Sequence, residues 1–231
     1  DRFLFAPDDV ILIVGQDGLV PNVAKYLDGQ LTGGINPDAD RYDGVLCPHA
    51  PGAASRLLAW TQQVDGPRYR VQRRVMALAE REDGQRILAL NEVFVGHRSH
   101  QSAKYRIQVD GEEERHSSSG VICATGTGST GWVRSIVEQR GLDIDLPAPE
   151  EASLAWFVRE PFPSVYTGTD LDWGFLSVGF ELVLHSEMGQ GGVIFADGIE
   201  QDYVEFLSGQ AVSISIAHQT LNLVVPVEEA T

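Results

Sequence analysis

The run Val10-Ile11-Leu12-Ile13-Val14 stops at Gly15-Gln16-Asp17-Gly18, and this junction constrains the fold more than any other stretch of the chain. A short, continuous, β-branched run is the pattern of a strand covered on both faces in a parallel sheet. Past the glycines, Val20, Val23, Ala24 and Leu27 recur three and four apart, as on one side of a helix, and Asp28-Gly29 closes it. A second strand is predicted near Leu31 to Ile35. Strand, glycine-rich turn, helix and strand set a loop at the carboxyl end of a strand beside a helix N-terminus, a place that phosphates favour.

A further helix is predicted from Ala53 to Val64 on the spacing of Leu57, Leu58, Trp60 and Val64. After Gly66-Pro67 the periodicity turns from helical to alternating, which sets a boundary there. The reading is a Rossmann-like α/β domain over 1–66, N-terminally incomplete, and a β-rich nucleotide-binding domain over 67–231. In the second part, Arg68 to Arg81 and Arg86 to Val95 form a hairpin about Glu82-Asp83-Gly84-Gln85, and Tyr105 to Val109 with Asp110-Gly111 starts another. Strands are predicted at Gly120 to Ala124, Phe175 to His185, Val193 to Ala196, Ala211 to Ala217 and Leu221 to Val225, and a helix over Ser129 to Gln139. The fold class is thus a partial Rossmann-like α/β domain followed by an antiparallel, β-sandwich-like domain.

Charge narrows the function. Acidic residues outnumber basic ones 33 to 17, a formal net charge of −16, which repels nucleic-acid phosphates and anionic membranes. A nucleoside triphosphate would be repelled too, so a triphosphate substrate calls for local basic residues or a divalent cation, magnesium first. No apolar run approaches the roughly 20 residues that cross a bilayer, and the chain reads as cytoplasmic. Cys47 and Cys123 lie far apart in apolar surroundings, as reduced, partly buried thiols do. His97 and His100 are close in sequence, but their flanks read as strand and loop, which argues against a zinc site.

Three segments carry the chemistry. In Gly15-Gln16-Asp17-Gly18, glycines let backbone N–H groups approach a phosphate, while Asp17 can cap the next helix, orient a metal or accept a proton from an attacking hydroxyl. Ala124-Thr125-Gly126-Thr127-Gly128-Ser129-Thr130-Gly131 gathers small side chains, hydroxyls and backbone donors between a strand and a helix, a cradle for a phosphate or ribose. It has no lysine in the Walker A position and is not a P-loop. Asn91-Glu92 places an amide and a carboxylate inside an apolar strand pair, costly to bury unless both find partners, which a hydroxyl-rich ligand would supply.

Taken in order, these segments resemble the NAD kinase family, from about Val10 to the C-terminus. The family's GGDG turn is similar to Gly15-Gln16-Asp17-Gly18, and its GxN segment to Gly34-Ile35-Asn36. Its NE pair matches Asn91-Glu92, its ATPTGSTAY-like signature resembles Ala124 to Trp132, and its late DG resembles Asp197-Gly198. The resemblance implies transfer of the ATP γ-phosphoryl group to the adenosine ribose 2′-hydroxyl of NAD, giving NADP, with a divalent metal and a homo-oligomeric assembly, dimer or tetramer. It implies that Asp17 is catalytic, as base or as orienter of the acceptor hydroxyl. Gly15, Gly18, Asn36, Asn91, Glu92, Thr125, Thr127, Gly128, Ser129, Thr130, Gly131 and Trp132 would contact nucleotide or acceptor.

Several positions depart from the family pattern. Gln16 replaces a glycine, Leu19 a threonine, Ser119 an aspartate, and Gly131-Trp132 an Ala-Tyr pair. Only fourteen residues precede Gly15, fewer than the family carries. These departures bear on the acceptor more than on the fold. They keep two alternatives open: a kinase of the same fold acting on a sugar or lipid-like alcohol, and a nucleotide-binding relative without turnover.

Overall fold

The computed structural model describes residues 5–61 and 68–227. The boundary predicted at Gly66-Pro67 and the end of the helix predicted to reach Val64 lie outside the described residues. The chain packs as two units, one holding the chain up to Arg74 together with Gln219 onward, the other Val75–His218.

In the first unit, β1 (Val10–Val14) runs parallel to β2 (Leu31–Ile35). The end of β14 (Ala211–Pro226) also lies parallel to β2, with Asn222 opposite Leu31. Helix α1 (Leu19–Ala24) is shorter than the apolar spacing predicts, because Tyr26 and Leu27 donate to Val23 and Ala24 in tight turns instead of continuing it. Helix α2 (Ala54–Thr61) follows a 3-10 turn over Pro51–Ala53, where proline at the first position suits a helix start. The core gathers Ile35, Ala53, Leu57 and Val224, with Leu12, Leu31, Trp60 and Tyr69 packed against it. One expectation fails: β1 is not covered on both faces. Val14 is 59% exposed and only Ile13 is buried, because β1 is the outer strand and pairs with β2 alone among the described strands.

The second unit is a sandwich of antiparallel strands. One layer holds the hairpin of β3 (Tyr69–Arg81) and β4 (Arg86–Ala89), and the hairpin of β6 (Ala103–Val109) and β7 (Glu112–Ser118). In that layer β11 (Leu182–Ser186) pairs with β6 and with the start of β14. The other layer contains β5 (Glu92–His97), β8 (Val121–Ala124), β9 (Ser153–Val158), β10 (Trp173–Ser177), β12 (Gly192–Ala196) and the short β13 (Val204–Glu205). Its spatial order is β10-β9-β8-β5-β12-β13.

Side-chain alternation explains why this layer reads as continuously apolar. Val93, Val95, Val121, Cys123, Leu154 and Trp156 turn toward the other layer, joining Ala77, Tyr105, Ile107, Leu184 and Ile214 in one core. Phe94, Ile122, Ala124 and Phe157 turn the other way, under Val133 and Ile136 of α3 (Trp132–Arg140). Buried on both faces, β8 needs no polar residue.

Four predicted elements are corrected. The run from Arg86 to Val95 is two strands in different layers, broken at Leu90–Asn91. Phe175 to His185 is likewise two, because Gly179 at φ +87° turns the chain between β10 and β11. Ala211 to Ala217 and Leu221 to Val225 are one strand, β14. The segment from Ser129 to Gln139 divides into a 3-10 turn over Gly128–Thr130 and α3, separated by Gly131. Strand β9, with six residues of apolar character and no turn signal inside, was not predicted. Both cysteines are buried and free. No helix among the described residues is long and apolar enough to cross a membrane.

Gly34 tests the packing of the first unit. A Cβ there would stand 2.0 Å from the carbonyl oxygen of Leu46, whereas one at Gly52 meets nothing within 4 Å. Gly34→Ala is expected to destabilise the protein by about 1–3 kcal/mol in urea unfolding, and Gly52→Ala by no more than about 0.5 kcal/mol.

Candidate functional site

The turn after β1 does not present a helix N-terminus to a phosphate. Gly15 sits at φ +152°, where a Cβ would meet Leu19 Cδ1 at 2.3 Å. The first amides of α1 are spent on the turn itself, Leu19 donating to Gln16 and Val20 to Asp17. The Asp17 side chain does not cap α1. Its carboxylate reaches the loop before α2: Oδ2 accepts from Val45 N at 2.9 Å, and Oδ1 from Leu46 N and Cys47 N, each at 2.9 Å. A carboxylate offers about four lone-pair positions, so three backbone bonds leave one. Gly18, at φ −62°, has open space around its Cα.

Asn36 grips the same loop. Its Nδ2 donates to Tyr42 O at 2.8 Å and its Oδ1 accepts from Asp38 N at 3.0 Å. Its backbone N donates to His49 O, while His49 Nε2 bonds Val224 O at 2.7 Å. Loop 37–47 is therefore fixed from both ends by the two polar residues that the sequence singled out in this unit. Cys47, beside Asp17, is pushed up to about 11 by burial and by the Asp17 charge, so it stays a thiol at neutral pH.

In the second unit the Leu90–Asn91 junction is gripped from two sides. Asp197, at φ +54° after β12, accepts from Leu90 N at 3.2 Å and from Asn91 N at 2.6 Å. Asp197 N in turn donates to Glu92 O at 2.9 Å. From the signature segment, Thr125 Oγ1 donates to Leu90 O at 2.5 Å and Thr125 N to Asn91 O at 2.9 Å. Gly128 completes the fit, since a Cβ there would lie 2.2 Å from Asn91 O. The backbone at Asn91 is thus satisfied, and no hydrogen bond to the side chain of Asn91 or Glu92 occurs among the described residues. Both are half-buried. Burial, then the charge of Asp197, pushes the Glu92 carboxyl up to about 7.

The hydroxyls of the signature segment divide by role. Thr125 is buried and also accepts from Thr127 N and Gly128 N, at 3.1 and 3.3 Å. Ser129 Oγ donates to Thr125 O at 3.1 Å. These two side chains hold the turn rather than face outward. Thr130, Gly131 and Trp132 are its exposed end, with Thr130 Oγ1 donating to Thr127 O at 3.3 Å. Thr127 is buried, and its backbone N joins the Thr125 hydroxyl. Asp197 is the residue that sequence reasoning left out of the site. An aspartate-glycine pair after an apolar strand was its signal, but only the fold brings it to Asn91. Among the described residues no three His, Cys, Asp or Glu side chains gather as a metal site.

The raised Glu92 carboxyl has a measurable consequence. A carboxyl whose folded pKa lies above its unfolded value gives stability that is complete below about 4.5 and is lost as pH rises through about 7. The wild type should therefore lose about 1–3 kcal/mol between pH 5 and pH 8 that Glu92→Gln does not lose. Urea unfolding of both proteins at the two pH values isolates this difference.

No protein-family model matches the chain, and no curated protein matches its sequence. Its fold does match solved structures. A crystal structure of yeast NADH kinase complexed with NADH aligns over 96% of this chain at a TM-score of 0.75 and 16% sequence identity. The chain spans 62% of the length of that kinase chain. The N-terminal α/β unit and the C-terminal β-sandwich-like unit are those of the NAD kinase fold.

Proposed function

We propose that the chain transfers the γ-phosphoryl group of ATP to the adenosine ribose 2′-hydroxyl of NAD or NADH. The observation that carries this reading is the pair Asn91–Glu92, whose backbone is locked by Asp197 and Thr125 while, among the described residues, its amide and carboxyl side chains have no protein hydrogen bond. Half-buried and open to solvent on one side, an amide and a carboxyl beside each other suit a ligand rich in hydroxyls and amides. The fold likeness to a kinase complexed with NADH supports the same choice of ligand.

In the reaction, the ribose oxygen forms a bond to the γ-phosphorus as the bond to the β,γ-bridging oxygen breaks and ADP departs. The hydroxyl proton passes to the Asp17 carboxylate acting as base, or to solvent where Asp17 only orients the hydroxyl. Such transfer depends on alignment and on charge neutralisation more than on covalent help. Asp17, held rigid by three backbone amides, has one lone-pair position left with which to orient the acceptor hydroxyl. Asn91 and Glu92 bind hydroxyl and base groups, and Thr127 and Thr130 contact nucleotide. A magnesium ion brought with the phosphates would need only one or two protein carboxylates, and Glu92 would be the residue here to supply one. When bound, it neutralises phosphate charge.

The test is formation of NADP or NADPH from ATP, magnesium and NAD or NADH. Asp17→Asn should lower turnover on the order of a hundredfold or more while costing about 1–2 kcal/mol of stability from the loosened loop. Asn91→Ala should raise KM for the dinucleotide about tenfold. Full turnover by Asp17→Asn removes Asp17 from the reaction. A folded, ATP-binding protein that phosphorylates a sugar or lipid-like alcohol but neither dinucleotide replaces the acceptor.

A further inference from the structure

The three amides that hold the Asp17 carboxylate belong to consecutive residues, Val45, Leu46 and Cys47, so their aim depends on what fixes the chain just beyond them. That anchor is His49, which is buried. Its backbone forms a bridge of a single residue with Ile35 of β2: His49 N donates to Gly34 O at 3.2 Å, and His49 O accepts from Asn36 N at 2.8 Å. A bridge one residue long leaves the chain free to tilt about it. The ring removes that freedom by reaching a different strand, since Nε2 lies 2.7 Å from Val224 O of β14. A carbonyl oxygen only accepts, so Nε2 carries the proton and donates.

Packing turns this bond into a rigid anchor. Tyr69 meets the His49 ring edge-on, with centroids 5.5 Å apart and planes at 73°, and Trp60 meets Tyr69 in the same way at 5.8 Å and 71°. Between His49 and Cys47 stands Pro48, whose ring fixes φ, so an orientation set at His49 passes to Cys47 with little slack. Leu46 is equally confined, because its carbonyl oxygen runs where a Cβ at Gly34 would stand 2.0 Å away. Burial lowers the pKa of the His49 ring, against the opposing pull of the Val224 bond. The ring is therefore neutral at pH 7 and acts through position rather than charge.

We propose that His49 is a positioning residue for Asp17: its ring bond to Val224 O holds Pro48 and Cys47 so that the amides of Val45, Leu46 and Cys47 converge on the carboxylate. His49 makes no hydrogen bond to Asp17 among the described residues, and it works through the loop alone. With the ring bond lost, the loop tilts, the three amides spread, and the carboxylate no longer points one way. The consequence for turnover rests on the phosphoryl-transfer reading, whereas the effect on the loop does not. Because Asn91 and Glu92 bind the dinucleotide in that reading, releasing the loop lowers kcat and leaves KM in place.

Three substitutions in the full chain test this. His49→Phe keeps a ring against Tyr69 and removes the donor, His49→Met removes the donor without a ring, and His49→Gln sets an amide N–H near the place of Nε2. Leu57→Ala, a core change in the same unit that removes no hydrogen bond, gives the background of lost stability alone. In nitrogen-edited NMR spectra the Leu46 and Cys47 amides should move in both donor-free variants toward their positions in Asp17→Asn, and exchange with solvent about tenfold faster or more. Iodoacetamide should modify Cys47 about tenfold faster or more, while the buried Cys123 stays protected. NADP formation should fall about tenfold in kcat with KM unchanged. His49→Gln should restore all three readouts, and Leu57→Ala should leave the two amides in place. Unmoved amides in a folded donor-free variant, a Gln variant that behaves as Phe, or a Leu57→Ala variant that moves the same amides overturns the proposal. So does a wild-type His49 ring that nitrogen NMR finds protonated at Nδ1 rather than Nε2, whether or not the variants fold. A wild type that makes no NADP counts against the phosphoryl-transfer reading, while the amide and thiol readouts still decide the role of His49.

Discussion

The grip on the Leu90–Asn91 junction is the constraint on which the candidate site depends. There the chain leaves one layer of the sandwich for the other, and a strand that changes layers has backbone groups with no ladder to join. Asp197 supplies acceptors for two N–H groups, and Thr125 supplies donors for two carbonyls. Charge-assisted bonds from a carboxylate to backbone amides are among the stronger ones available to a protein. Because the backbone is satisfied this way, the side chains of Asn91 and Glu92 are left, among the described residues, without a protein hydrogen bond.

The first unit uses the same device for a different purpose. Asp17 turns away from its own helix and takes three amides of loop 37–47, and Asn36 takes two more groups of that loop. The motif residues thus shape their surroundings before they meet any substrate. That dual use explains why an aspartate in a strand-to-helix turn need not be a helix cap. Gly34 belongs to the same arrangement, since only a residue without a side chain lets Leu46 pass so close.

Much of this was legible from particular residues. Val10 to Val14 and the glycines after it gave the strand and turn, and Asn91-Glu92 stood out because a polar pair interrupts an apolar run. Hairpins at Asp83-Gly84 and Asp110-Gly111 were legible as turn pairs, and both glycines do sit at positive φ. Other features were hidden because they depend on contacts distant in sequence. Nothing local says that Leu90–Asn91 is a change of layer, since apolar strand residues stand on both sides of the polar pair, or that Asp197 lies 106 residues away along the chain yet touches Asn91. Thr125 and Ser129 have the composition of a phosphate cradle, but burial turns their hydroxyls inward.

The central claim is that Asn91 and Glu92 are the groups a dinucleotide meets. The most direct measurement is the side-chain amide signal of Asn91 in nitrogen-edited NMR spectra, assigned by Asn91→Asp, while NADH is titrated in. The account predicts that this signal shifts and saturates with the same affinity that calorimetry gives for NADH. NADH that binds to saturation while the Asn91 amide stays where it was would contradict it.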